Sequence, residues 1–133
     1  MKKILAVALS CSLLIACSDD TKKENALKNE IINMHEKLMN NDEALMKNKM
    51  KLDTLLTQKK DTAAVKPLIS KATAADDAME QWMSKFQPDM TGKSHTEVMT
   101  YYTDQKKQIV AVDSQINAAI KESGQYLSTH KLK

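Results

Sequence analysis

Apolar residues recur along this chain at steps of three and four, the spacing of one face of an α-helix. In the first long stretch the row is Leu27, Ile31, Met34, Leu38, Leu45, Leu52 and Leu55, which becomes a regular alternation once Asn41 and Asn48 are counted in it. A second row, Ile32, Met39 and Met46, runs beside it and widens the face enough for two neighbours rather than one. The pattern predicts a helix from about Lys22 to Lys59, with Thr21 to Glu24 at capping-box spacing and Lys59 and Lys60 placed to complement the C-terminal dipole.

The next row, Val65, Leu68, Ala72, Ala75, Met79, Trp82 and Phe86, predicts a second helix from about Thr62 to Phe86 with Asp61 as N-cap. Pro67 is tolerated if that helix begins close by and otherwise kinks it. Residues 87–93 carry Pro88, Asp89 and Gly92 and read as a loop. Ser94 and Glu97 have capping-box spacing and open a third helix to about Ser123, with Val98, Tyr102, Ile109, Val112, Ile116 and Ala119 as its stripe and Gln105 as an interruption. Gly124 is expected to weaken or end it, and residues 128–133 to fray. Three amphipathic helices with short connections bury their faces best as an all-α, up-down-up bundle of long antiparallel helices spanning residues 22–127. Of the polar residues in the stripes, Asn48 is expected to be exposed, and Asn41 and Gln105 are left between exposure and pairing inside the bundle.

The start of the chain has a different character. Met1-Lys2-Lys3 is basic, and Ile4 to Ala16 is an apolar and small-residue run too short to span a bilayer. Leu14-Ile15-Ala16-Cys17 has the form of a bacterial lipobox. Residues 1–16 therefore read as a lipoprotein signal peptide, with Cys17 as the acylated first residue of the mature chain and residues 17–21 as a lipidated tether. The competing reading is an ordinary secretory signal with an incidental cysteine. Diacylglyceryl and amide-linked chains together would make a lasting membrane anchor, since one acyl chain holds weakly and two or more hold firmly. Asp19 and Asp20 close behind the cysteine are similar to the surface-export signal of Bacteroidota lipoproteins, which points to the outer membrane and leaves its face open; the competing reading of the pair is a solvated linker.

Processing at Cys17 also narrows the chemistry. Cys11 leaves with the signal, so no thiol remains for a disulfide, a nucleophile or a thiolate metal site. The formal charge of +3 falls to near +1 once Lys2 and Lys3 are gone. Every basic residue is Lys, and the absence of Arg with near-neutral charge argues against nucleic-acid binding.

Several segments together carry a family resemblance. Met34-His35-Glu36-Lys37-Leu38-Met39 with Leu45-Met46 and Met50-Lys51-Leu52, then Ala75-Asp76-Asp77-Ala78-Met79-Glu80-Gln81-Trp82-Met83, then Tyr101 to Ile109, resemble the three helices of small helical Bacteroidota lipoproteins often labelled "viral A-type inclusion protein". The resemblance covers most of residues 25–127. The chain departs from it in having Glu36 where the family has Asp, and in lacking a Pro soon after Met39. The resemblance implies the fold and the envelope location; it implies no activity.

Three constellations are candidates for chemistry. His35 and Met39, Met46 and Met50, and Met79 and Met83 are i, i+4 pairs on single helix faces. Imidazole and thioether suit Cu(I) or Ag(I), although Met34, Met39, Met46 and Met79 lie on rows where Met more often fills helix interfaces. Asp76 at the core edge would accept a bond from His35, the Trp82 N–H or a Tyr hydroxyl, or keep its head in water. Trp82, Phe86, Tyr101 and Tyr102 flank the 87–93 loop and would form one aromatic core end, or a partner-binding patch if exposed. His35-Glu36 is no zincin motif, because the required second His is replaced by Met39. No nucleophile–base–orienter pattern appears. The chain is thus expected to be a non-enzymatic envelope module without a resident cofactor, binding an envelope protein or itself, with a soft-metal binder as the alternative.

Overall fold

The computed structural model describes residues 13–130, with side chains from Asp19 onward; residues 1–12, most of the expected signal peptide, the Cys17 side chain and tail residues 131–133 lie outside the described residues. Three helices follow in order: α1 (Leu13–Thr57), α2 (Thr62–Lys85) and α3 (His95–Thr129). They pack on one another as an up-down-up bundle, and the α1–α3 seam is the most extensive of the three. Among the described residues there is no strand, and no helix is long and apolar enough to cross a membrane.

The hydrophobic stripes become the core. Ile31, Leu38, Leu45 and Leu52, at heptad spacing on α1, are all but inaccessible to solvent. Val65, Ala72, Ala75, Met79 and Trp82 of α2, and Val98, Tyr102, Ile109, Val112, Ile116 and Ala119 of α3, close over them. Burying each large aliphatic chain contributes roughly 1.5–3 kcal/mol, which outweighs the weak helix preference of the β-branched residues. Ala72 and Ala75 let α2 approach closely where larger residues would hold it away.

The core has two parts. One runs from Ile31 to Leu45 and includes the aromatic end near the 87–93 loop. The other gathers Leu52, Leu55 and Val65 with Leu56, Leu68, Ile69, Tyr126 and Leu127 at the α1–α2 turn. Between them lies a polar layer. Asn48 Nδ2 donates to Ser123 Oγ at 3.0 Å and stands 3.3 Å from the Ile120 carbonyl. Ser123, fully buried, donates in turn to the Ala119 carbonyl at 2.6 Å. Asn48 is therefore half-buried and paired rather than exposed, because α3 lies alongside α1 for its whole described length. Asn41 makes a similar bond to Asn117 at 3.3 Å. Gln105 is buried, and its Oε1 has no hydrogen-bond partner.

Several boundaries differ from the sequence expectation. Residues 18–22 are helical rather than a tether, and α1 runs through Thr21 instead of starting there. Nothing in that segment breaks a helix, and Asp20 and Glu24 both reach the His95 ring. At its other end α1 stops at Thr57, short of Lys59. There Lys60 N–H bonds to the Leu55 carbonyl and Lys59 N–H to the Leu56 carbonyl, while Lys59 takes φ 54°. That is a Schellman ending with Lys at the left-handed position usually held by Gly. Asp61 precedes α2 at the N-cap position but is also left-handed, and its side chain makes no cap bond. Its carboxylate accepts from the Tyr126 hydroxyl at 3.0 Å instead. Pro67 lies inside α2, beyond the first turn.

Gly124 does not end α3, which continues to Thr129, past the expected bundle limit at 127 and into the segment expected to fray. Tyr126 and Leu127 hold those last turns on the second part of the core. The 87–93 loop and the Ser94–Glu97 capping box form as the sequence suggests.

Two substitutions test these backbone assignments. A Cβ on Gly124 would meet only the Asn48 amide nitrogen at 3.7 Å, an ordinary contact. Gly124→Ala should therefore stabilise the fold by about 0.5–1 kcal/mol in urea unfolding, the helix-interior difference between the two residues. Lys59→Gly should stabilise it by a similar amount, about 0.5–1 kcal/mol, by relieving the left-handed strain.

Candidate functional site

The aromatic end of the bundle is built by three elements. Trp82 and Phe86, one turn apart at the end of α2, stack with ring centroids 4.9 Å apart. Phe86 stacks at 6.4 Å on Tyr101 of α3, which lies against Tyr102. The loop is sewn to the same residues. Gln87 N–H donates to the Tyr101 hydroxyl oxygen at 2.7 Å, and the Tyr102 hydroxyl donates to the Pro88 carbonyl at 2.9 Å. Burial pushes the Tyr102 hydroxyl above its ordinary pKa, so it stays a donor. Within the loop, Asp89 accepts from the Thr91 N–H and hydroxyl, which holds its carboxyl below the usual range. Lys93 N–H then closes a turn on the Met90 carbonyl, with Gly92 at φ 82°. That turn requires Gly, since a side chain would strain a positive φ.

A groove of about 320 Å³ opens on the α1–α2 side of this end, lined by Ile32, His35, Trp82, Met83, Phe86 and Pro88. Its walls are almost entirely apolar, and its one conspicuous polar group is the His35 imidazole. The His35 ring is tilted against Trp82 with centroids 5.7 Å apart. Its Nε2 lies 3.1 Å from Met83 Sδ. Met83 is 38% exposed, so this contact sits at the mouth of the groove, not in the core.

Directly along the same α1–α2 seam is a cluster of carboxylates. Asp42 on α1 is half-buried, and its Oδ1 is enclosed without a hydrogen-bond partner. Burial first, then the neighbouring charges of Asp76 and Glu80, push its carboxyl above the usual range.

These positions decide between the sequence candidates. His35 and Met83 are brought together across 48 residues of sequence. Met39 is 45% exposed one turn along α1, between His35 and Asp42, the two positions that face α2. Met79 is buried in the core at 2% exposure, as an interface filler. Met46 is half-buried and Met50 is 67% exposed, and both lie ~16 Å or more along α1 from His35 by helical rise. Asp76 does not meet His35, the Trp82 N–H or a Tyr hydroxyl; its neighbour across the seam is Asp42, and Trp82 Nε1 is buried without a partner. Trp82 itself is 5% exposed, so the aromatic group forms a core end with one edge on the groove rather than a free patch.

The sequence reading missed Asp42 and the part taken by His95. His95 Nδ1 lies 2.7 Å from Glu24 and Nε2 3.5 Å from Asp20, tying the start of α3 to the start of α1. The i, i+4 spacing of Asp20 and Glu24 was the available signal for one shared cation, but its partner lay more than seventy residues away. Among the described residues no group of three His, Cys, Asp or Glu converges as a metal site. Comparison against protein-family models, curated proteins and solved structures finds no match for this chain.

The carboxylate seam carries a pH signature. Because the folded state raises the Asp42 pKa above its unfolded value near 3.8, the penalty is absent at low pH and appears as pH rises through the carboxylate range. Asp42→Asn should therefore be more stable than the parent at pH 7, by no more than about 0.5 kcal/mol for a partly solvated like-charge contact. The gain should vanish in melts well below the unfolded value of 3.8, where the carboxyl is protonated in both states.

Proposed function

We propose that this chain is a membrane-anchored lipoprotein of the cell envelope whose helical body serves as a binding or structural module rather than an enzyme. The observation that carries this reading is the order of features at the start of the sequence: Lys2-Lys3, the apolar run and Leu14-Ile15-Ala16-Cys17. The similarity to small helical Bacteroidota lipoproteins, and Asp19 and Asp20 behind the cysteine, favour the outer membrane. The non-enzymatic part rests on the sequence, which offers no nucleophile, base and orienting group in a workable set.

The anchor gives the bundle a direction. With lipid on Cys17, helical rise places His35 and the groove ~27 Å from the membrane and the α1–α2 turn ~60 Å from it. The 87–93 loop lies at the membrane end, because α3 begins beside the first turns of α1. The groove is then the feature available to a ligand or an envelope partner approaching the side of the bundle. The row of Ile32, Met39 and Met46 favours self-association less, since Ile32 is half-buried in the groove wall.

The anchor is tested on native material. Mass spectrometry should find a chain beginning at Cys17 and carrying acyl groups, and detergent-phase partitioning should retain it. Cys17→Ala should abolish the acyl mass, since that residue alone would carry the lipid. An uncut leader, or a free sulfhydryl on Cys17, would overturn the reading.

A further inference from the structure

We propose that His35, Met83 and Met39 form a site for a soft monovalent cation, Cu(I) or Ag(I), at the α1–α2 seam beside Trp82. This deepens the binding-module reading above by naming a ligand class for the groove.

The first support is convergence. Imidazole nitrogen and thioether sulfur, from different helices, stand 3.1 Å apart at the mouth of an otherwise apolar groove. Without a cation the contact is at best a weak N–H···S bond, because a thioether is a poor acceptor. Bonds of about 2.0 Å to nitrogen and 2.3 Å to sulfur, as in first-row metal sites, would set the two donors ~3.7 Å apart at a trigonal angle. The opening needed is therefore roughly 0.6 Å, within reach of an exposed, unbranched Met side chain. Met39, one turn from His35 along α1 and 45% exposed, is free to swing in as a third donor when a cation is bound.

The second support is the match of ligand to cation. One imidazole and two thioethers are uncharged and soft, a set that suits Cu(I) or Ag(I) and not Mg²⁺ or Ca²⁺. A singly charged ion needs no compensating ligand charge. The carboxylates of Asp42, Asp76 and Glu80 lie further along the same seam and add negative charge on the α1–α2 side of the bundle. The Trp82 ring, 5.7 Å from the His35 ring, places an aromatic face next to the cation, where its quadrupole is attractive. Ile32, Phe86 and Pro88 give the groove an apolar wall that offers the cation no competing protein donor.

The test uses the full chain purified in detergent, whichever fraction it partitions to, and kept free of oxygen. Cu(I) is titrated against a chromophoric chelator, and Ag(I) is titrated separately as a redox-inert probe. Trp82 is the only tryptophan, so its fluorescence reports directly on the site. One equivalent of either ion should bind and quench it. Met83→Leu and His35→Gln should each weaken binding at least about tenfold, the least that even an outer-shell change costs a metal site. Met50→Leu, far along α1, should bind as the parent does. Any thiol contribution is common to all these variants and cancels in the comparison. Circular dichroism should show the same helicity throughout, as Met83 and His35 are at the surface end of the groove. No uptake by the parent, or equal affinity in the parent, Met83→Leu and His35→Gln, overturns the proposal. Lipid on Cys17 is read by mass alone, so the anchor and the metal site succeed or fail independently.

Discussion

The hydrogen bond from Asn48 to Ser123 is the constraint on which the register of this bundle depends. Apolar stripes on α1 and α3 attract each other in many registers, because burial is non-directional. An amide placed in the seam is not so tolerant. Leaving it buried and unpaired costs about 1–3 kcal/mol, so only alignments that deliver a partner are competitive. Asn48 finds Ser123 and the Ile120 carbonyl in one alignment of α3. The same alignment pairs Asn41 with Asn117, Glu30 with Lys106, and Glu24 with His95. A one-turn slip would break all of them together. A polar position in a largely apolar seam is a known device for fixing register at some expense in stability.

α2 is set by that pair and by its own ends. Lys71 pairs with Glu122, and Asp61 accepts from Tyr126, so α2 is tied to the far half of α3. At the other end Phe86 stacks on Tyr101. These ties, more than any feature local to α1 and α2, bring Met83 opposite His35. The groove chemistry is thus downstream of the core: Trp82 holds its place because Phe86 and the tyrosines back it, and His35 leans on Trp82. The carboxylates of Asp42, Asp76 and Glu80 sit in the same register as a consequence. They are a local expense in stability that the rest of the seam offsets.

Most of the fold was legible in the residues, and the reasons can be stated case by case. Ile31, Leu38, Leu45 and Leu52 announce their own burial through spacing alone. Ser94 with Glu97, and Gly92 before them, announce a turn and a helix start through local hydrogen bonding. Asn48 was misjudged because its partner is 75 residues away, and spacing along one helix says nothing of what lies against it. Gly124 looked like a terminator because its neighbourhood is weakly helical by propensity; packing of Tyr126 and Leu127 overrides that preference. Of the candidate ligands, periodicity placed Met39, Met46 and Met79 together on buried rows, but of these Met79 alone is buried and Met39 is 45% exposed. It did not reveal that Met83 faces His35.

What the amino-acid order determined alone was everything that depends on neighbours within about two turns: three amphipathic helices, the capping box and the loop. What only the tertiary structure decided was which faces meet. Asn48 with Ser123, His35 with Met83, His95 with Asp20 and Glu24, and the crowding of Asp42 are all contacts between helices. The physical reason is that helix formation is governed by hydrogen bonds to the fourth residue back, whereas register between helices is a competition among many nearly equal burials. Long-range polar contacts decide it, and they exist only once the helices are already side by side.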